Sequence, residues 1–186
     1  MVVLFLGNVS SPVVPVIRSF GDEVRCCNTQ LDIPFVNQMQ PDFLVSYGYP
    51  FILKEEILEL FPSRAINLHI SYLPWNRGAD PDLWSLVDDT PKGVSIHYLD
   101  RGVDTGDIIV QKEVVCSSKD SLGDYYDRLH SEIRALFKEH WPAIKDGSAP
   151  HQRQEGEGSY HRAVDREQLL HLLKKGDNTL IEEVLG

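Results

Sequence analysis

Ile66-Asn67-Leu68-His69-Ile70-Ser71-Tyr72-Leu73-Pro74-Trp75-Asn76-Arg77-Gly78 reads as a short apolar strand broken by two polar residues and followed by a Pro- and Gly-containing loop. Residues two apart in a strand share a face, so Asn67 and His69 point one way and Leu68 the other. A polar pair at the end of an apolar strand marks the carboxyl edge of a sheet, where open α/β folds bind ligands. Residue types alone leave a plainer reading open. Asn and His near strand ends often do no more than satisfy loop backbone groups.

Upstream, short apolar runs alternate with helical patterns, which predicts a parallel sheet with crossover helices. Val2–Leu6 is continuously apolar, as a strand covered on both faces should be. Glu23–Cys27, Phe43–Ser46 and Ala65–Leu68 follow as strands. Ser10-Ser11-Pro12 starts a helix that Pro15 keeps short, and Ile33–Met39 and Lys54–Phe61 supply two more. Downstream, Gly93–Tyr98 and Ile108–Val115 are strands joined by a turn-rich segment. In Ser121–His140 the residues Leu122, Tyr125, Tyr126, Leu129, Ile133, Leu136 and Phe137 recur at three and four residues, one face of a helix that Pro142 is expected to end. Residues 147–160 are polar and Gly-rich and read as a surface connection. Asp165–Leu173 reads as a short amphipathic helix.

Bulk properties narrow the function classes. A chain of 186 residues suits one domain, divided here into a catalytic part, 1–145, and an extension, 146–186, packed on it. No apolar run reaches the length of about 20 residues needed to span a bilayer. The apolar start lacks a basic leader and a small-residue cleavage site, so a cytoplasmic location is expected. The formal net charge of −10 disfavours extended nucleic-acid binding, which needs Lys and Arg against phosphates. Adjacent Cys26 and Cys27 with a lone Cys116 give neither a disulfide framework nor metal-ligand spacing, so no metal is expected.

A second polar stretch, Gly93-Val94-Ser95-Ile96-His97-Tyr98-Leu99-Asp100, runs into Arg101-Gly102-Val103-Asp104-Thr105-Gly106. By itself Asp104 could be a turn aspartate, as Asp100 and Asp107 are read to be, and His97 reads as structural or surface. Together the two stretches resemble the 10-formyltetrahydrofolate-dependent formyltransferases, whose pattern is Asn-x-His, a Leu-Pro loop and then Asp-x-Gly. Here these are Asn67, His69, Leu73-Pro74, Asp104 and Gly106. The resemblance is densest from Tyr47 to Gln111 and implies a Rossmann-like fold with a mostly parallel sheet flanked by helices. Only 66 residues precede Asn67, so a shortened N-terminal section is expected.

By that resemblance Asn67, His69 and Asp104 are the catalytic trio. The residue types suit the chemistry. Amine attack on a formyl carbon places negative charge on oxygen, to which an Asn amide can donate. A His can stabilise the same charge or exchange protons, and a carboxylate can orient the His or accept a proton through water. The group that deprotonates the amine is left open. The resemblance also places contacts to the folate co-substrate on Tyr47, Gly48, Tyr49, Phe51, Ile52 and Leu53, and on Tyr98, Leu99, Gly102 and Val103. Core packing is the alternative for Tyr49, Phe51 and Ile52. Asn8 and Ser10, in a loop between strand and helix, together with Ser71, Trp75 and Arg77, are the candidate acceptor contacts, and Trp84 is expected in the core. The Trp75–Pro81 loop and Gly158–Arg162 look most like sugar-amine formyltransferases. The partners expected are therefore folate and a small amine, foremost one on a nucleotide-linked sugar, with no nucleic acid and no membrane. A homodimer is compatible with the sequence. Acceptors such as glycinamide ribonucleotide or methionyl-tRNA, a hydrolase of the folate donor, and a folate-binding protein without turnover stand as alternatives.

Overall fold

The computed structural model describes residues 1–173 and 175–185; Lys174 and Gly186 of the 146–186 extension lie outside them. Its first half lays down β1 (Val2–Leu6), α1 (Val13–Ser19), β2 (Glu23–Cys27), α2 (Ile33–Met39), β3 (Phe43–Ser46), α3 (Glu55–Leu58) and β4 (Ala65–His69). Then follow β5 (Arg77–Gly78), α4 (Pro81–Val87), β6 (Gly93–Tyr98), β7 (Ile108–Glu113), α5 (Leu122–Lys145), β8 (Tyr160–His161) and α6 (Ile181–Leu185). The main sheet has the order β2-β1-β3-β4-β6-β7. Strands β2, β1, β3 and β4 are mutually parallel, while β6 is antiparallel to both β4 and β7. The mostly parallel α/β sheet flanked by helices is thus the observed architecture.

The continuous apolar strands are buried on both faces, as their composition requires. Val3, Phe5, Val45, Ile66 and Leu68 pack into one cluster with α1 and α5. Leu4, Leu6, Leu44 and Ala65 pack with Val36 of α2 and Ile57 of α3 into the other. From β1 the chain moves to β2 on one side and then to β3 on the other. That reversal is the topological switch point at which such sheets open a ligand crevice. The two strand exits approach closely there. Gly7 has φ +145°, and a Cβ on it would lie 2.3 Å from the carbonyl oxygen of Tyr47.

Helix α5 begins with a capping box: the Asp124 amide donates to Ser121 Oγ (3.1 Å), and the Ser121 amide donates to Asp124 Oδ2 (3.0 Å). It does not end at Pro142. The helix runs to Lys145 with the proline inside. A proline this close to a C-terminus forfeits one intrahelical hydrogen bond, while Trp141 and Ile144 beside it are fully buried. Burial of such side chains contributes roughly 1.5–3 kcal/mol each, enough to outweigh the lost bond. Trp141 Nε1 also donates to Asp22 Oδ2 at 2.9 Å. Two other elements are shorter than the sequence pattern predicts: α3 covers Glu55–Leu58, and the 165–173 region forms a 3-10 helix over Ala163–Leu169.

The tail after α5 returns to the start of β7 and to β5. Gln152 bridges Ile108, Tyr160–His161 pairs in parallel with Arg77–Gly78, and Ala149, Leu169, Ile181 and Val184 join the larger core cluster. No helix among the described residues is long and apolar enough to cross a membrane. The contact of Gly7 with β3 generates a test. Gly7→Ala should lower the unfolding free energy by more than about 1 kcal/mol, because both the left-handed backbone and the neighbouring carbonyl oppose a Cβ. A urea midpoint equal to that of the parent chain would show that the two exits can separate at no cost.

Candidate active site

Strands β4 and β6 and the loop after β6 assemble the site. Asn67 and His69 leave the carboxyl end of β4, and the antiparallel register sets His97 of β6 directly across from Asn67. Asp104 comes from the loop after β6, where it adopts φ +53°. The loop is tied by Asp100, whose Oδ1 accepts from the Gly102 amide (3.1 Å) and Thr105 Oγ1 (2.7 Å). It is tight against β6, since a Cβ on Gly106 would sit 1.9 Å from the Tyr98 carbonyl oxygen.

The trio converges. Asn67 Nδ2 donates to Asp104 Oδ1 at 3.0 Å, and the Gly78 amide donates to Asp104 Oδ2 at 2.9 Å. His69 Nδ1 stands 3.7 Å from Oδ2, beyond hydrogen-bond length. His69 Nε2 donates to the Asn76 carbonyl at 3.0 Å, which turns Nδ1 toward the carboxylate. His97 Nε2 lies 3.3 Å from Asp104 Oδ1, and its Nδ1 donates to the Tyr98 carbonyl at 2.8 Å. Burial pushes the Asp104 carboxyl up. Attraction to His69 and His97 and the Gly78 amide outweigh that and hold it well below the usual carboxylate range.

His97, expected to be structural or on the surface, is fully buried and touches both Asn67 and Asp104. The register explains the difference: β6 runs against β4, so the histidine faces the asparagine rather than solvent. Asn76 is a second unforeseen contributor. Fully buried at φ +55°, it donates from Nδ2 to Thr90 Oγ1 (2.7 Å), and its amide donates to Ser159 Oγ (2.8 Å). Ser159 Oγ returns a hydrogen bond to Asn76 Oδ1 (3.0 Å). These bonds fix the carbonyl that His69 uses. Its only sequence signal is a polar residue inside the exit loop.

The two stretches expected to hold folate meet on one face of the sheet. Tyr49, Leu53 and Leu99 pack against the same cluster, and Arg101 pairs with Glu55 across the gap. Core packing does not account for Phe51 and Ile52, which are 39% and 69% exposed. Tyr49 is anchored, its hydroxyl donating to the Thr29 carbonyl (2.7 Å) and accepting from the Leu31 amide (2.9 Å). Tyr47 is buried, with its hydroxyl against His130 Nδ1. Gly48 takes φ +63°, Tyr98 and Val103 are half-buried, and Gly102 is exposed.

Among the acceptor candidates, Asn8 and Ser10 are exposed beside the β1 exit, where Asn8 Oδ1 accepts from the Ser10 amide at 2.9 Å. Trp75 is half-buried. Ser71 is 1% exposed and donates to the Trp75 carbonyl at 2.6 Å, so its hydroxyl holds the loop and does not reach solvent. Arg77 donates to Gln154 Oε1 through Nε (3.0 Å) and Nη2 (2.7 Å), so its fork faces the tail. Trp84 is buried, as expected, and stacks on His161 at 3.9 Å. Two surface hollows, of about 380 and 350 Å³, lie elsewhere, along Lys54–Glu59 and beside β7, and none of the trio lines them. The trio's polar atoms contact one another. Among the described residues no group of three or more His, Cys, Asp or Glu is placed to hold a metal ion.

The formyl transferase family model matches residues 27–140. The formyltransferase PseJ of Anoxybacillus kamchatkensis, solved with UDP-4,6-dideoxy-4-formamido-L-AltNAc and tetrahydrofolate, is 46% identical, with a TM-score of 0.95 over 100% of this chain and 98% of that one. A dTDP-4-amino-4,6-dideoxyglucose formyltransferase of Mycobacterium bovis is 37% identical over 67% of this chain and 56% of its own length. A methionyl-tRNA formyltransferase of Desulforamulus reducens is 34% identical over 62% of this chain and 37% of its own. The chain thus spans between about a third and somewhat over half the length of these two curated relatives.

The depressed titration of Asp104 has a consequence for stability. A carboxyl whose folded pKa lies below its ordinary 3.8 stabilises the fold fully above that value, and the contribution is lost as pH falls toward the folded pKa. The stability difference between the parent chain and Asp104→Asn should be flat from about pH 5 to 7 and narrow as pH drops below about 4. Parallel denaturation curves at all pH values would show that the carboxylate is not held by its neighbours.

Proposed function

The chain belongs to the formyl transferase family, and from that premise we propose that it moves a formyl group from 10-formyltetrahydrofolate to a primary amine on a nucleotide-linked sugar. The observation that carries this reading is the meeting of Asn67, His69 and Asp104 at the carboxyl edge of the sheet. The end-to-end likeness to a formyltransferase solved with tetrahydrofolate and a UDP-linked formamido sugar supports the choice of donor and acceptor class. We take residues 1–145 as the catalytic part and 146–186 as its extension.

In the reaction the amine nitrogen bonds to the formyl carbon and the bond from that carbon to the folate nitrogen breaks. The proton lost by the amine ends on the folate nitrogen. Asn67 uses one amide N–H to hold Asp104, and the second, 3.4 Å from His97 Nε2, is the one proposed to turn to the oxygen where charge develops. Asp104 is a poor final proton acceptor, because its neighbours hold it well below the usual carboxylate range. Its part is to orient and balance His69. That histidine, with Nε2 fixed on Asn76 and Nδ1 turned inward, carries the proton from the amine toward the leaving nitrogen. The exposed pair Phe51 and Ile52 is proposed as the apolar wall for the pterin, with Leu53, Leu99 and Val103 behind it. Trp75, Asn8 and Ser10 remain as acceptor contacts.

An acceptor screen with 10-formyltetrahydrofolate tests the reading by the mass gain of each amine. Formylation confined to nucleotide-linked amino sugars is the expected result. Formate release without any amine, or transfer to methionyl-tRNA alone, would replace it. His69→Ala should lower turnover by about two to four orders of magnitude, and Asn67→Ala by about a hundred- to a thousandfold. His97→Ala should also slow the reaction, since the residue faces Asp104. A variant His69→Ala that folds and turns over at the parent rate would remove histidine from the mechanism.

A further inference from the structure

The stretch 151–157 is polar and irregular, and six of its seven residues are exposed. Gln154 alone turns inward. Its Nε2 donates to the carbonyls of Asp104 (2.8 Å) and Gly106 (2.8 Å), while its Oε1 accepts both N–H groups of Arg77. One carboxamide therefore uses both of its donors on the Asp104 turn and its acceptor on the loop after β4. Arg77 is the neighbour of Gly78, whose amide holds the Asp104 carboxylate.

The Asp104 turn needs such a hold. A non-glycine residue in the left-handed region costs of order 1–3 kcal/mol and persists only where its surroundings over-determine it. The side chain of Asp104 is gripped by Asn67 and Gly78, but its main-chain carbonyl and that of Gly106 reach out to the tail. The tail is itself registered against the loop that follows β4. Gly158 takes φ +66° where a Cβ would lie 2.1 Å from the Pro74 carbonyl oxygen, and the Arg77 amide donates to the Ser159 carbonyl at 3.0 Å. Ser159 also braces Asn76, the acceptor for His69. Gln154 does not touch the trio's reacting atoms.

We propose that Gln154 is a positioning residue that sets the Asp104 carboxylate against Asn67, Gly78, His69 and His97, so that the tail forms part of the catalytic apparatus. The kinetic side of this inference rests on the formyl-transfer reading; the structural side does not.

The test compares Gln154→Met, which keeps length and volume without hydrogen bonds, with Asp104→Asn and the double variant. Displacing a catalytic group by about 1 Å can cost on the order of a hundredfold. Gln154→Met should thus lower kcat about 10- to 100-fold while tetrahydrofolate affinity stays within about twofold. In the Asp104→Asn background the same substitution should cost less than about threefold, because residues acting as one unit lose rate non-additively. A carboxyl-carbon NMR titration of Asp104 supplies a readout independent of turnover. The groups facing that carboxyl are His69, His97, Asn67 and the Gly78 amide, and its midpoint should rise toward the ordinary carboxylate value in Gln154→Met. Should that variant fail to fold, Gln154→Glu takes its place: it retains the acceptor for Arg77 and loses the donors to Asp104 and Gly106. An unmoved midpoint, or rate losses that simply multiply, overturns the proposal. Absence of formyl transfer by the parent chain would sink the proposed function, and the titration would still decide the role of Gln154.

Discussion

The site is organised around one buried negative charge. Moving an ionised carboxylate out of water is costly unless donors and opposite charges replace the lost solvation. Each oxygen of Asp104 has an N–H donor, Asn67 at Oδ1 and Gly78 at Oδ2, with His97 and His69 beside them. These groups come from β4, β6 and β5. The strand order, the reversal of β6 and the return of the tail along β5 are therefore all needed before the carboxylate can stay ionised at its depth.

That constraint also divides the labour among the three residues. A carboxylate stabilised by so many neighbours holds charge well and takes up protons poorly. A histidine fixed through one nitrogen on a buried carbonyl, with the other 3.7 Å from the carboxylate, is free to take and return a proton without losing its orientation. In the proposed mechanism the asparagine has two tasks for one amide group, which ties oxyanion stabilisation to the placement of the charge. Loss of any member would leave the remaining ones misplaced, the behaviour expected of a single unit.

Most of the scaffold was legible in the sequence because its elements obey simple periodicities. Val2–Leu6 and Phe43–Ser46 are uninterrupted apolar runs, and α5 repeats at three and four residues, so local chemistry and burial agree. Legibility failed at Pro142, where two buried neighbours outweigh a local breaker. It stopped short at His97, whose burial fits the structural reading and excludes the surface one, because facing Asn67 is a property of antiparallel register that no local pattern encodes. Asn67 and His69 stood out as a polar pair at a strand end, but Asp104 was joined to them only by resemblance, since alone it is indistinguishable from the turn aspartates Asp100 and Asp107. Gln154 and Ser159 carry no periodic signal at all. Their importance lies in which carbonyls and amides they meet, which only the folded chain reveals.

The reading of the folate lips was likewise open in the sequence, where core packing and ligand contact predict the same residue types. Exposure separates them. Leu53 and Leu99 are half-buried against the α2–α3 side of the sheet, whereas Phe51 and Ile52, a few residues from Tyr47, stand out from it. An exposed apolar pair gains little from burial, so core packing does not explain its residue types. Phe51 and Ile52 precede α3, to which the Arg101–Glu55 pair links the loop that carries Asp104. An apolar lip on one side and a polar, anchored turn on the other is the arrangement expected around a flat ligand with an amide-like edge. For that reason the proposed function assigns the pterin wall to the exposed pair rather than to the buried Tyr47.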